Sequence, residues 1–245
     1  MKILWGFAAA AFAIALWQAI VSLTGLPRFI LPGPGLVAQT WWENRAIIAE
    51  HTLVTGTEVV IGLIIGASLG IATAIHLAAS PSTRALVQPI LVFTQALPVF
   101  ALAPVLTLWL GYGLGSKIAM AVLIIYFPVV SSFLDGLERT PKGYLDLAQT
   151  MQARPGRILW HVRIPAALPS LASGLRLAAV YAPIGAVIGE WVGASRGLGY
   201  LMLLANGRAK TDLMFAALLT LGVLSVVLHQ VVTRLTAELG KDARD

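Results

Sequence analysis

A chain of 245 residues with 58% of them apolar and only 11% charged lacks the polar surface of a water-soluble domain, in which about a quarter of residues are charged. With a mean hydropathy of +0.84, its natural solvent is a bilayer. The net charge of +6 then belongs to basic residues in short membrane-flanking loops rather than to a nucleic-acid partner, and the absence of cysteine excludes disulfides and thiolate chemistry while leaving the redox compartment open.

Apolar runs of roughly 20 residues are long enough to cross the hydrocarbon core. Six are expected: Ile3–Leu23, Thr52–Ala79, Ala85–Leu110, Lys117–Leu137, Leu168–Gly189 and Leu213–Leu235. The first follows Lys2 like a secretory signal. It is too long for one, however, and Trp17 and Gln18 stand where a small-residue cleavage site belongs, so it reads as a retained span. Residues 24–51 form the first outer connection. Its Leu31-Pro32-Gly33-Pro34-Gly35 is a loop signal, and Val37 to Ile48, with Trp41 and Trp42, is expected to lie as a short helix at headgroup level. In span two, Gly62, Gly66, Gly70 and Ala74 recur every four residues and form a groove for a second helix. The groove suits either packing within the chain or a contact between two copies. Ser80-Pro81-Ser82 and Gly111-Tyr112-Gly113 mark the next two turns, and Trp191 to Asp212 is expected to be the last outer loop.

Basic residues set the orientation. With the N-terminus inside, the inner segments hold ten Lys and Arg (Lys2, Arg84, Arg139, Lys142, Arg154, Arg157, Arg163, Arg234, Lys241, Arg244) and the outer segments six (Arg28, Arg45, Lys117, Arg196, Arg208, Lys210), with Arg176 inside span five. The asymmetry puts both termini and the polar segment 138–165 in the cytoplasm.

Within that segment Leu145, Ala148, Met151 and Gln152 share one helical face. Pro155-Gly156 is expected to end the helix before an apolar stretch leads into span five. Such a helix either docks into a partner's groove or lies on the membrane or its own spans.

The stretch from Asp146 to Pro169 resembles the cytoplasmic loop motif of ATP-binding-cassette importer permeases. That motif opens Glu-Ala-Ala, carries Gly some residues later, and closes on an apolar–Pro pair. Here Asp146-Leu147-Ala148 stands at the opening, Gln152 in place of the Gly, and Ile164-Pro165 at the close. Leu31-Pro32-Gly33-Pro34, Ala96-Leu97-Pro98, Leu108-Trp109-Leu110-Gly111 and Gly189-Glu190-Trp191-Val192-Gly193-Ala194-Ser195 extend the likeness to the nitrate/sulfonate/taurine branch. The resemblance implies an all-α membrane protein, one permease domain over 1–245, with a coupling helix between spans four and five. It implies a bacterial inner-membrane location and partners in a second copy of the chain, a cytoplasmic ATPase dimer and a periplasmic or lipid-anchored binding protein. ATP would be used by the ATPase, and Asp146, Leu147, Ala148, Gln152, Arg154, Ile164 and Pro165 would contact it. The Gly-to-Gln change puts the helix-to-turn junction in question, because Gln takes positive φ less readily than Gly.

Catalytic signatures are absent. Before Gly240-Lys241 a phosphate loop would need Gly where Leu235 stands. Two Gly-x-Ser-x-Gly matches, Gly66–Gly70 and Gly193–Gly197, lack the strand, helix and His–acid partners of a nucleophile elbow. His51, His76, His161 and His229 have no ligand spacing, so neither a metal nor a cofactor is expected. Gln95, Tyr126 and Tyr181 are expected either to line the translocation pathway or to bond between helices. Glu190 and Trp191, ending span five, are expected either to act in gating or substrate passage or to make a capping or inter-span hydrogen bond. Away from the span ends only Glu58 and Arg176 are charged, which weighs against the alternative of an ion-coupled transporter or channel. The aromatic groups and the family branch lean to a flat heterocycle such as a pyrimidine vitamin precursor, with a small anion such as a sulfonate or nitrate next.

Overall fold

The computed structural model describes residues 2–240; Lys241 and Arg244 of the charge asymmetry and the Lys241 of the Gly-Lys pair lie outside them. Among the described residues the fold is all-helical. The helices are α1 (Lys2–Thr24), α2 (Pro34–Glu43), α3 (Arg45–Ala79), α4 (Pro81–Ala96), α5 (Val99–Leu110), α6 (Leu114–Glu138), α7 (Lys142–Thr150), α8 (Pro155–Ile158), α9 (Ile164–Gly193), α10 (Leu198–Gly207) and α11 (Thr211–Leu235), with a π-helical turn, Leu159–Arg163, joining α8 to α9.

Four described segments are long and apolar enough to cross a membrane: α3, α6, α11 and Pro155–Gly193, which contains α9. They coincide with expected spans two, four, six and five. The expected third span, Ala85–Leu110, is instead broken: α4 and α5 meet at 99° and together make at most a fifth crossing. Pro98 is the cause. It has no N–H to continue the helix, and its ring drives the preceding residue out of the α region, so Leu97 is extended (φ −78°, ψ 123°). In α1 the apolar described stretch, Ala8–Thr24, is shorter than a full crossing.

Three further expectations are corrected. The interfacial helix foreseen over Val37–Ile48 is divided at Asn44 (φ −102°, ψ 15°), so that α2 starts at Pro34 and Arg45–Ile48 opens α3. The helix expected to end at Pro155-Gly156 already stops at Thr150, and Pro155 occupies the first turn of α8, where a missing N–H costs nothing. The last outer connection is not a loop throughout, since Leu198–Gly207 folds as α10.

The core forms where α6 lies between α3 and α9. The small-residue row of α3 faces α6 of the same chain. A methyl on Gly62 would sit 2.6 Å from Ala121 Cβ, on Gly66 3.0 Å from Ile125, and on Gly70 2.9 Å from Val129. From the other side α9 approaches through Gly174, Gly185 and Gly189, which meet Ser132, Ala121 and Lys117. Ala121 is therefore gripped from both sides, and Ile125, Val129, Phe133 and Leu137 fill the seam below it. The alternative of a dimer contact for the row is set aside by this packing.

Gly66→Leu is expected to destabilise the fold by about 1–3 kcal/mol or more through overpacking. Gly222→Ala in α11, whose added methyl meets nothing within 4 Å, is expected to be neutral or slightly stabilising. Thermal denaturation of both variants in detergent makes the comparison.

Candidate functional site

Chemistry-bearing side chains gather at the two ends of α9. At the end remote from the 138–165 segment lies the N-terminus of α10. A helix begins with four backbone N–H groups lacking intrahelical acceptors, and Gly197, the cap position of α10, has no side chain to offer. All four are satisfied from other helices. Gly197 N–H donates to His51 Nδ1 (2.9 Å), Leu198 N–H to Thr55 Oγ1 (2.8 Å), and Gly199 and Tyr200 N–H to Glu190 Oε2 (2.5 and 3.2 Å). Thr55 in turn donates its hydroxyl to Glu190 Oε1 (2.6 Å). Trp191 Nε1–H donates to Gly199 O (3.1 Å), so Gly199 is held by both its backbone groups. The Glu190 oxygens also face the positive end of the α10 helix dipole.

This arrangement leaves no room for a side chain at either glycine. Gly197 has φ +113°, and a methyl there would overlap the Glu190 carboxyl; one on Gly199 would lie 2.8 Å from Glu190 Oε2. The second Gly-x-Ser-x-Gly match is thus a close-packing motif, since Gly193 likewise lies against Tyr112.

Beneath the cap, Glu58 is wholly buried on α3. Its carboxyl lies beside that of Glu190, and Lys117 Nζ stands 3.9 Å from Glu58 Oε1. Lys117, assigned from the sequence to an outer loop, is buried in α6 and donates to Tyr112 O at 3.3 Å.

Of the other residues singled out, Tyr126 donates to Thr73 Oγ1 (2.9 Å) between α6 and α3. Tyr181 on α9 is partly exposed, and Gln95 at the end of α4 is exposed. These three do not converge with Glu190 and Trp191. Arg176 caps the end of α11 through Thr236 (Nε to Oγ1, 3.1 Å; Nη2 to O, 3.4 Å).

At the other end of α9, the 138–165 segment is held by arginines. Arg163 in the π turn donates to Leu137 O at the end of α6 (3.0 Å) and to Ala78 O at the end of α3 (3.4 Å). A cation there satisfies carbonyls that a helix leaves free at its C-terminus. Arg84 pairs with Glu138, joining the start of α4 to the end of α6. Sequence reasoning counted Arg163 only as positive charge; nothing in its local spacing announces that two helices end beside it.

Helix α7 ends as the motif with Gly would have it. Gln152 takes φ +54°, its N–H donates to Gln149 O (2.8 Å), and Ala153 N–H donates to Ala148 O (2.9 Å). This is the paired bonding of a Schellman stop, with Gln in the place usually taken by Gly. Ala209 repeats it after α10, at φ +54°. Leu145 and Ala148 turn toward the chain, whereas Tyr144, Leu147 and Met151 are exposed by 59%, 59% and 73%. The outward apolar face is therefore Tyr144, Leu147 and Met151, at i, i+3 and i+7, rather than the face centred on Ala148. Asp146, Gln152 and Arg154 are exposed around it. Behind α7 a groove of about 410 Å³ is lined by Leu145, Gln149, Ala153, Pro155, Ile158 and Arg163. Ile164 and Pro165 open α9.

Residues 62–241 match the family model described as the binding-protein-dependent transport system inner membrane component. The chain belongs to that family. A probable ABC transporter permease protein of Haemophilus influenzae is 51% identical over 216 residues, covering 88% of each chain. A permease of Halalkalibacterium halodurans named for formylaminopyrimidine transport is 36% identical over 188 residues, covering 76% of this chain and 75% of that one. An inward-facing structure of the MetNI methionine ABC transporter shares the fold, with a TM-score of 0.61 at 21% identity, over 85% of this chain and 98% of that one. The protein is thus a multi-pass permease subunit of an ABC importer, in a family of transport components rather than enzymes.

Gln152→Gly is expected to raise stability by about 1 kcal/mol, because it relieves a left-handed residue that has a side chain, while Gln152→Val lowers it. Unfolding temperatures of the two variants in detergent give the ordering.

Proposed function

We propose that this permease works as a homodimer that forms the translocation pathway of an ATP-driven importer and docks Tyr144, Leu147 and Met151 into a separate ATPase. The observation that carries this reading is the exposed apolar face of α7. The helix is stopped by a Schellman turn and continued by α8 and the π turn into α9, whose Arg163 is tied to α3 and α6. An apolar helix face set in a water-facing segment favours a protein groove. Asp146, Gln152 and Arg154 rim that face, and Ile164-Pro165 starts the rod that carries its displacement into the membrane.

In this reading the chain crosses six times, with α1 first and the bent α4–α5 pair as the third crossing, and both termini face the cytoplasm. The basic-residue asymmetry supports that orientation. A binding protein delivers the solute on the opposite face. Tyr181, Trp191 and Gln95 line the pathway, and Tyr126 and Glu190 shape it through the helices they join. The solute is a flat heterocycle of the pyrimidine type, a reading supported by the aromatic residues and by the 36%-identical relative named for formylaminopyrimidine. ATP does work on transport only if the ATPase contacts differ between two states of the permease, so the α7 face is the place where that difference enters.

Leu147→Asp combined with Met151→Asp is expected to abolish co-purification with the ATPase, while yield and unfolding temperature stay within experimental error because both side chains are exposed. Retained co-purification, or gradient-driven uptake by the chain alone in liposomes, would reject the reading. Competition of uptake by pyrimidines against sulfonates in the complete transporter tests the solute class.

A further inference from the structure

Helix α10 is 10 residues long, about 15 Å at 1.5 Å per residue, and so cannot cross the bilayer. It lies at the end of α9 remote from the coupling loop. Its buried side chains, Leu198, Leu201 and Ala205, pack toward α11 and the body of the chain. Ser195, Arg196, Asn206, Arg208 and Lys210 around it are exposed.

The cap of this helix is unusual in its ownership. His51 and Thr55 belong to α3 and Glu190 and Trp191 to α9, and Thr55 donates to Glu190 between them. No residue of the 194–200 segment supplies a side-chain acceptor to its own helix start. The four N–H groups are therefore satisfied together only while the ends of α3 and α9 stand at one separation. A shift of one helix past the other leaves some of these buried donors without a partner, which disfavours the seated position of α10 by the cost of unmade buried hydrogen bonds.

We propose that Glu190 and Thr55 are positioning residues of the outer gate, and that segment 194–207 is the gate: seated on α3 when the shared cap is closed and released when α9 moves against α3. This rests on the importer reading, in which α9 receives its motion from the coupling loop. The carboxylate does not touch the solute. It holds Gly199 and Tyr200, and through Thr55 it senses α3. The exposed ion pair Arg196–Glu50 (3.7 Å) spans the same α3-to-segment boundary.

The chain has no native cysteine, which allows a clean test in the complete transporter. Glu50→Cys with Arg196→Cys, bridged by a short bifunctional methanethiosulfonate, is expected to stop ATP-driven uptake and to recover it when a reductant cleaves the bridge. Co-purification with the ATPase should be unchanged throughout, which separates failure of this proposal from failure of the importer reading. Uptake at the unbridged rate with the link in place would overturn the proposal. In parallel, Thr55→Val is expected to lower the ratio of solute transported to ATP hydrolysed roughly tenfold, the scale set by leaving a buried polar group without its hydrogen bond. Thr55→Ser, which keeps the hydroxyl, should restore that ratio. Parallel loss of transport and hydrolysis in Thr55→Val, with an unchanged ratio, would make the cap merely structural.

Discussion

The close approach of α6 to α3 on one side and to α9 on the other is the contact on which the rest of this permease depends. In lipid there is no hydrophobic drive to bring helices together, so association relies on packing, and small residues let backbones come near. Ala121 shows how little space remains, with Gly62 on one flank and Gly185 on the other. The same seam carries the buried Glu58–Lys117 pair, one member from α3 and one from α6. Replacing either glycine face with larger side chains would push apart the helices that supply both halves of the α10 cap.

Because α9 is one continuous helix from Ile164 to Gly193, its two ends are mechanically related. At the α7 end, Arg163 ties the π turn to carbonyls at the ends of α3 and α6. At the far end, Glu190 and Thr55 tie α9 to α3 through the start of α10. A π turn is a wide, poorly bonded element that recurs at functional positions in helices. Here it stands between α7 and the long rod of α9, where any displacement of α7 would first be taken up.

Much of this was legible in the sequence, for physical reasons that differ by element. Long apolar runs fixed α3, α6, α9 and α11, because a bilayer imposes length and composition together. The four-residue repeat of Gly62, Gly66 and Gly70 announced a helix contact but not its partner, since spacing carries no information about which helix arrives. Pro98 was visible, yet a proline within an apolar run is compatible with a kink or a right-angle break, and only packing chooses. Helix α10 was missed because its start carries no Ser, Thr, Asp or Asn cap; the acceptors lie on Glu190, Thr55 and His51, the last two more than 140 positions away. The Gln152 turn is the opposite case. The sequence argued against a left-handed residue, and the chain adopts one because the two Schellman bonds and the burial of Ala148 outweigh the local cost.

The borrowed cap also bears on how the chain is made. Isolated helices of about ten residues are marginal in water even with favourable sequences, and α10 has no start signal of its own. The acceptors for its first N–H groups come together only once α3 and α9 have met around α6. The segment that emerges from the ribosome just before α11 is therefore among the last to settle. Its ordering would report, during biogenesis, that the three-helix body has already closed.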